Sequence, residues 1–231
     1  SQQALDMLGK LYIDVGSPVL VEAPSYLGAL QSFSLFGPEF IATPTDERGL
    51  IPEALTDERA AGARFIYVLP NFQNPTGLTL DMERRRALVE RCAQLDLPII
   101  EDDPYGELRY AGEPLPGLLG LGREAGATVI RLGTFSKVLA PGLRLGYVVA
   151  PRDIISKLVQ FIWVTMPGHI DSRELLRAAI EECVAFVPGG PFFAGVEPRH
   201  NTMRLSFVTV PEDRIRAGVA TLGRLIRQRE R

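Results

Sequence analysis

Up to about residue 150, short apolar runs alternate with stretches of helical periodicity. Most of the short runs are apolar at nearly every position rather than at every second one. Strands of this kind are typical of parallel sheets that helices cover on both faces. The pattern predicts strands at 18–22, 39–43, 65–69, 98–102, 128–133 and 143–150, and helices at 2–12, 26–35, 53–62 and 81–95.

After Ala150 the pattern changes to that of a smaller α+β unit. It predicts helices at 151–160, 172–182 and 211–229, and strands at 161–167, 184–188 and 201–208. We therefore expect an α/β protein with a large domain over residues 1–150 and a C-terminal small domain over residues 151–231.

The composition narrows the class of protein. The chain has 231 residues, 46% of them hydrophobic, which suffices for one large domain or one domain with part of a second. A net charge of −3 argues against broad nucleic-acid binding. No apolar run reaches the length of about 18 residues that a membrane span needs. The two cysteines suggest no disulfide framework, and the two histidines lack metal-ligand spacing, so we expect a cytoplasmic protein without a metal site.

Three polar clusters follow predicted strands, and strand ends are where α/β sheets usually carry their chemistry. The clusters are NFQNPTG (71–77), EDDPYGELRY (101–110) and GTFSKVLAPGLRLG (133–146). The first is either an ordinary turn or a rigid turn that aims Asn74 into a cleft. In the second, Asp103 suits a helix N-cap followed by Pro104. That interpretation leaves out Asp102, which the strand buries and which needs a cationic or protonated partner.

The third cluster places hydroxyls, a lysine and an arginine in a run that we expect to be a buried turn. Thr134, Ser136 and Arg144 suit an anion, since arginine binds phosphate oxygens in bidentate fashion. The alternative is a solvated loop with Arg144 on the surface. Ser1 and Gln2 stand at a predicted helix N-terminus, where free backbone N–H groups favour a phosphate.

Together the clusters predict a phosphate cradle, a buried carboxylate and a lysine. A cofactor with a phosphate, a ring nitrogen and an aldehyde requires these three features. The order and spacing of SQQ, APSYLGAL, NPTG, EDDPYGEL, TFSK followed by GLRLG, and NTMRLSF resemble those of fold-type I pyridoxal-5′-phosphate-dependent aminotransferases. Within that fold type the chain is similar to the group of 2-aminoadipate, kynurenine and aromatic or branched-chain aminotransferases.

This resemblance implies an aspartate-aminotransferase-like fold with pyridoxal 5′-phosphate as its cofactor. The implied reaction moves an amino group from an L-amino acid to a 2-oxo acid such as 2-oxoglutarate. Small-molecule substrates and a homodimer are the implied partners, with neither nucleic acid nor a membrane. Arg204, in NTMRLSF, would clamp the substrate α-carboxylate, with Asn74 beside the substrate; the alternative for Arg204 is a surface position on an edge strand.

The resemblance also assigns roles around the cofactor. Lys137 would hold it as a Schiff base and shuttle a proton, and Asp102 would pair with the pyridine nitrogen. Tyr105 and Asn74 would hydrogen-bond the 3-oxygen of the ring, and Tyr26 would stack on its face. The implied phosphate ligands are Ser1, Gln2, Thr134 and Arg144, with Ser136 as a weaker candidate.

The chain departs from the family pattern in two places. Family members carry a longer segment before SQQ, and they carry a long helix with about half of the small domain where Gln160 here directly precedes Phe161. Either the chain is a fragment, or these segments have been removed and the rest renumbered. We expect the second, because the loss of these segments from a folded domain would expose large apolar surfaces. The residues that select the substrate would lie largely in those segments.

Two other functions remain open. Some bacterial transcription regulators carry an aminotransferase-like domain that binds pyridoxal phosphate as a sensor, but EDDPYGEL and NFQNPTG favour the enzyme. The same cofactor also supports β-elimination or decarboxylation, and no short motif distinguishes these reactions from transamination.

Overall fold

A computed structural model describes residues 1–158, 161–193, 196–206 and 210–229. These residues divide into two compact units, Ser1–Leu158 and Val159–Arg231. Within the described ranges no helix is both long and apolar enough to cross a membrane.

The first unit is built on a twisted sheet of six strands with a small separate hairpin. In chain order the strands are β1 (Pro18–Glu22), β2 (Glu39–Thr43), β3 (Thr45–Asp46), β4 (Gly49–Leu50), β5 (Ile66–Val68), β6 (Ile99–Asp102), β7 (Val129–Thr134) and β8 (Gly146–Val149). The sheet has the order β2-β1-β5-β6-β7-β8, and β3 pairs with β4 as the hairpin. All neighbours in the sheet are parallel except β7 and β8, which confirms the predicted mostly parallel sheet.

Helices cover both faces of this sheet. They are α1 (Gln2–Tyr12), α2 (Leu27–Ser34), α3 (Asp57–Ala60), α4 (Met82–Gln94), α5 (Leu118–Ala125), α6 (Phe135–Val138) and α7 (Arg152–Leu158). Side chains of one strand alternate between two separate cores: Val19 and Val21 pack into one, and Leu20 packs into the other. A strand that buries both faces must be apolar at every position, which explains the runs seen in the sequence.

The boundary between the units differs from the expected one at residue 150. The sequence pattern predicts helix α7 in the small domain, whereas the structure places it in the first unit. Ile154 and Leu158 are buried in the same core as Leu5 and Leu8 of α1, and this apolar packing holds α7 against the large sheet's helices. The expected junction at Gln160 lies outside the described residues.

Two other local predictions were wrong. The helix expected over 53–62 is a short 3₁₀ turn at Pro52–Ala54 followed by α3. The segment after Asp103 forms turns rather than a helix. Asp103 accepts a hydrogen bond from Gly106 N at 2.9 Å, and a Cβ on Gly106 would lie 2.6 Å from that carboxylate. The glycine therefore closes a tight turn on Asp103, and no helix follows.

The second unit is a small α+β structure. Its elements are β9 (Phe161–Thr165), α8 (Ser172–Glu181), β10 (Val187–Pro188), β11 (Thr202–Ser206) and α9 (Glu212–Arg229). The strands form an antiparallel sheet in the order β10-β11-β9. Met166, Leu175, Met203 and Leu222 contribute to its separate core. The strand predicted over 201–208 ends at Ser206, and residues 207 and 208 lie outside the described ranges.

Candidate active site

A cavity of about 520 Å³ lies in the first unit where β5, β6 and β7 end. Leu69 follows β5, Asp102 ends β6 and Thr134 ends β7, so the parallel strands deliver these residues to one edge of the sheet. The structure brings together all the residues that the resemblance assigned to the cofactor. The cavity is lined by Ser1, Gln2, Tyr26, Asn74, Asp102, Tyr105, Thr134, Ser136, Lys137 and Arg144.

Asp102 is the buried carboxylate of this cavity, with 1% of its surface exposed. Its Oδ2 accepts a hydrogen bond from the Tyr67 hydroxyl at 2.8 Å. Its Oδ1 is buried, and no partner for it occurs among the described residues. Burial raises the pKa of Asp102 to about 6, and the hydrogen bond from Tyr67 opposes that rise. A donor placed in the cavity can therefore satisfy the remaining oxygen.

Tyr67, the hydrogen-bond partner of Asp102, is a residue of this site that the sequence analysis did not single out. It sits in the middle of β5, fully buried, with its ring edge-to-face against Phe33 at 5.8 Å between centroids. Burial, together with the neighbouring Asp102 carboxylate, holds the pKa of its hydroxyl well above the ordinary value. The hydroxyl therefore stays a donor to Asp102. A polar aromatic residue inside the run FIYVL was the one available signal.

The first helix presents its N-terminus to the cavity. Ser1 is the N-cap of α1, and its side chain makes no capping hydrogen bond to the helix. Gln2 Nε2 donates to the carbonyl of Gly28 at 3.0 Å, which ties α1 to the start of α2. Tyr26, the N-cap of α2, is half-buried and lines the same cavity. The free N–H groups of the first helical turn favour a bound anion.

The lysine cluster has a different local structure from the buried turn that we expected. Lys137 lies in α6 and is exposed, and Arg144 is exposed as well. Thr134 Oγ1 accepts from Ser136 N at 3.2 Å and so caps α6. Arg144 adopts a left-handed backbone with φ of 51° at the end of a 3₁₀ turn. Both cations nevertheless line the cavity, because α6 and this turn lie along its wall.

The loop after β6 is fixed by a buried ion-pair network. Arg131 Nη2 lies 2.7 Å from Asp103 Oδ2, and its Nη1 lies 3.5 Å from Glu101 Oε1. Glu101 also accepts hydrogen bonds from the backbone N–H groups of Leu118 and Leu119 at the start of α5. This network accounts for two of the three acids in EDD and anchors the loop that carries Tyr105 into the cavity.

A buried arginine fixes the loop after β5. Arg85 of α4 is fully buried and donates to the carbonyls of Leu80, Pro70 and Pro116 at 2.7, 2.9 and 2.8 Å. It also donates to Asn71 Oδ1 at 2.7 Å. Four bonds from one guanidinium thus join the 70–80 loop to the segment before α5.

Arg204 lies on β11 of the second unit, whereas the cavity lining belongs to the first. Its guanidinium carbon lies 5.2 Å from the centroid of the Phe192 ring. Trp163, its partner in register on β9, packs edge-to-face on the same ring at 5.4 Å. Aromatic contacts of this kind hold a guanidinium in one orientation.

The fold and this set of side chains define a class of protein. Residues 1–163 match the sequence profile described as "Aminotransferase class I and II", and the chain belongs to that family. It is a pyridoxal-5′-phosphate-dependent aminotransferase.

Named relatives narrow the group within the family. The chain is 38% identical to a 2-aminoadipate transaminase of Thermus thermophilus, over 98% of this chain and 74% of that protein. It is 35% identical to aromatic-amino-acid aminotransferase 1 of Thermococcus litoralis, over 99% and 71%. A solved structure of the Thermus thermophilus alpha-aminoadipate aminotransferase LysN, complexed with N-(5'-phosphopyridoxyl)-L-leucine, superimposes with a TM-score of 0.66 at 37% identity, covering 99% of this chain and 76% of that one.

Proposed function

We propose that the cavity holds pyridoxal 5′-phosphate with its ring nitrogen against Asp102 and its aldehyde carbon against Lys137. The observation that carries this assignment is the buried Oδ1 of Asp102, which lacks a partner among the described residues and lines the same cavity as Lys137. A protonated ring nitrogen supplies both the hydrogen bond and the positive charge that this carboxylate needs. When bound, the cofactor supplies an electron sink for the charge that develops at the substrate Cα.

The phosphate end of the cofactor fits the opposite group of lining residues. The first turn of α1 offers backbone N–H groups, and Ser1 and Thr134 offer hydroxyls. Arg144 adds a guanidinium that is free to turn toward an anion, since it is exposed at the wall of the cavity. Ser136 donates its backbone N–H to Thr134 Oγ1, and its hydroxyl is a further candidate ligand for the phosphate.

The ring and the substrate occupy the space between these ends. Tyr26 would stack on one face of the ring, and Asn74 with Tyr105 would hydrogen-bond its 3-oxygen. Lys137 supplies the amine that anchors the cofactor and then moves a proton at the substrate Cα. The clamp on the substrate α-carboxylate that we propose for Arg204 is supported by the resemblance of NTMRLSF alone.

For the substrate we infer 2-aminoadipate or an aromatic or branched-chain L-amino acid as donor, with 2-oxoglutarate as acceptor. The names of the relatives at 38% and 35% identity support the 2-aminoadipate and aromatic donors. The regulator hypothesis is weaker. A rhizopine catabolism regulatory protein of Rhizobium meliloti is 34% identical over 80% of this chain, whereas both aminotransferases align over nearly all of it.

We also propose a homodimer in the cytoplasm. Leu139, Leu143 and Leu145 flank Lys137 and Arg144 in sequence and expose 69%, 49% and 56% of their surface. An apolar rim of this kind beside a site favours coverage by a second polypeptide. Size-exclusion chromatography with light scattering tests the dimer directly. Both cysteines are free thiols, which is compatible with a reducing compartment.

The decisive experiment follows the cofactor and the reaction separately. The purified protein, mixed with pyridoxal 5′-phosphate, should develop a visible absorption band, and borohydride should then fix the adduct on the peptide that contains Lys137. Steady-state assays with 2-aminoadipate, phenylalanine, kynurenine and leucine against 2-oxoglutarate should show turnover. An adduct on another lysine would refute the site, and cofactor binding without turnover of any donor would favour the sensor hypothesis.

A further inference from the structure

Gln73 is buried immediately before Asn74 in the loop that follows β5, with 4% of its surface exposed. Its Nε2 donates to the carbonyl of Pro24 at 2.7 Å. Its Oε1 accepts from the Thr76 backbone N–H at 2.9 Å and from the Thr76 hydroxyl at 2.7 Å. The side-chain amide of Gln73 therefore donates to the loop that follows β1 and accepts from the loop that follows β5.

Glu22 completes this connection at the end of β1, with 3% of its surface exposed. Its Oε2 accepts from the backbone N–H of Leu69 at 2.9 Å, and Leu69 lines the cavity. Burial raises the pKa of Glu22 to about 7, and hydrogen bonds from Leu69 and Gln73 oppose that rise. Strands β1 and β5 are adjacent, so Glu22 and Gln73 join the two loops that leave these neighbouring strands.

The two loops carry different parts of the site. The segment after β1 leads through Pro24 to Tyr26, and the loop after β5 leads through Gln73 to Asn74. The loop after β5 is closed by a bond of its own, from Gln73 N to Leu78 O at 2.8 Å, whereas the segment after β1 is tied to β3, where Thr45 Oγ1 donates to Ala23 O at 2.6 Å. In the described part of the chain, the bond from Gln73 to Pro24 is the one that joins residues 23–26 to residues 71–79.

We infer that Glu22 and Gln73 are positioning residues that hold Tyr26 and Asn74 at a fixed separation across the cofactor ring. The inference rests on the proposed function, since it assigns the stacking face to Tyr26 and the 3-oxygen to Asn74. Neither Glu22 nor Gln73 would touch the ring. Glu22 and Gln73 would act on the ring indirectly, because the Gln73 amide holds together the two backbone segments that carry Tyr26 and Asn74.

The variant Gln73→Glu tests this bridge with little change in volume. An ionised glutamate keeps an oxygen acceptor for Thr76 but has no donor for the Pro24 carbonyl, and it places a second carboxyl group beside Glu22; the variant is therefore compared with the parent at pH 8 and above, where ionisation is favoured. The variant loses the hydrogen bond to Pro24 and leaves a carboxylate oxygen facing the Pro24 carbonyl oxygen. We expect this change to raise the Kd of pyridoxal 5′-phosphate about tenfold. The visible circular dichroism of the bound cofactor should decrease, because a ring held less firmly has a less asymmetric environment. We expect kcat to fall while KM for the amino donor stays within about twofold.

A milder variant covers the case in which Gln73→Glu does not fold. Thr76→Val removes a hydroxyl that donates to Gln73 and accepts from Leu78 N at 3.3 Å, and it leaves the backbone bond from Thr76 to Gln73 in place. We expect this variant to raise the cofactor Kd about threefold. Gln31→Glu, at an exposed position on α2, makes the same chemical change away from the bridge and should leave the cofactor Kd unchanged.

The outcomes separate this inference from the proposed function. If the parent protein binds the cofactor on Lys137 and the bridge variants lower both affinity and dichroism, the positioning role holds. If the folded variants bind the cofactor with parental Kd and dichroism, the bridge is merely structural and the inference is wrong, even if their melting temperatures fall. If the parent protein itself forms no adduct on Lys137, the proposed function fails and takes this inference with it.

Discussion

Replacing Glu22 with glutamine should change how the stability of the protein depends on pH. Glu22 is a buried acid whose pKa burial raises from 4.5 to about 7. The native state therefore keeps this proton after the unfolded chain has lost it. Stability that is fully present below about pH 4.5 is lost as the pH rises through about 7, because the native state must then hold a buried charge.

The pKa difference fixes the size of this effect. A shift from 4.5 to about 7 corresponds to about 3 kcal/mol of unfolding free energy. Linkage places about 2.5 kcal/mol of that loss between pH 5 and pH 8. Glutamine cannot titrate, and its carbonyl oxygen can still accept from the Leu69 N–H. The unfolding free energy of the Glu22→Gln variant, minus that of the parent protein, should therefore rise by about 2.5 kcal/mol between pH 5 and pH 8. The titrations of Asp102 and Glu101 also affect the unfolding free energy, but they occur in both proteins and cancel in the difference between variant and parent.

Urea unfolding of both proteins at several pH values, followed by far-UV circular dichroism, measures this difference. Fluorescence of Trp163, the single tryptophan, reports the second unit in parallel. Glu39→Gln, at an exposed position at the start of β2, is the matched control and should follow the parent at every pH. Parallel curves for the parent and Glu22→Gln between pH 5 and pH 8 would refute the assignment of Glu22 as a buried acid that is protonated near neutrality.

Three further predictions address the site itself. Lys137→Ala should abolish both the visible absorption band with pyridoxal 5′-phosphate and the borohydride adduct, as read by spectroscopy and peptide mass; an unchanged band would contradict its role. Asp102→Asn should keep much of the cofactor affinity but lower kcat for transamination about 10²-fold or more, since a neutral amide cannot hold the ring nitrogen protonated; single-turnover rates near those of the parent would count against it. Arg131→Met should cost about 3 kcal/mol in urea unfolding, because it leaves Glu101 and Asp103 buried without their cation. Arg64→Met, which breaks an exposed pair, should cost under about 1 kcal/mol, and equal losses in the two variants would refute the network.

The hydrophobic pattern was sufficient to predict the sheet, and the clusters at the strand ends were sufficient to predict residues that line one cavity. Val19, Leu20 and Val21 must all be apolar because β1 buries both faces, and this requirement is visible in one short run. Asp102 and Lys137 stand out for the opposite reason, since charged side chains directly after such runs conflict with the pattern around them. Local sequence carries both kinds of information.

The supporting residues could not be predicted in this way. Tyr67 and Asp102 are separated by 35 positions, and Gln73 and Pro24 by 49, so their pairing depends on which strands become neighbours. Asp103 shows how a local rule fails. It precedes a proline as an N-cap does, but Gly106 and the ion pair with Arg131 fix it in a turn instead. Long-range contacts outweighed the local preference.

The buried carboxylates of the first unit differ in how the protein compensates them. Glu101 has two backbone N–H groups and Arg131, and Asp103 has Arg131 and the Gly106 N–H. Glu22 accepts a hydrogen bond from the backbone N–H of Leu69, and burial raises its pKa to about 7, so a bound proton can take the place of a cation there. Asp102 has a hydroxyl on one oxygen and, among the described residues, nothing on the other. Asp102 is thus the acid of this group that has an oxygen left for a further donor, and the proposed pairing with the ring nitrogen of the cofactor rests on that oxygen.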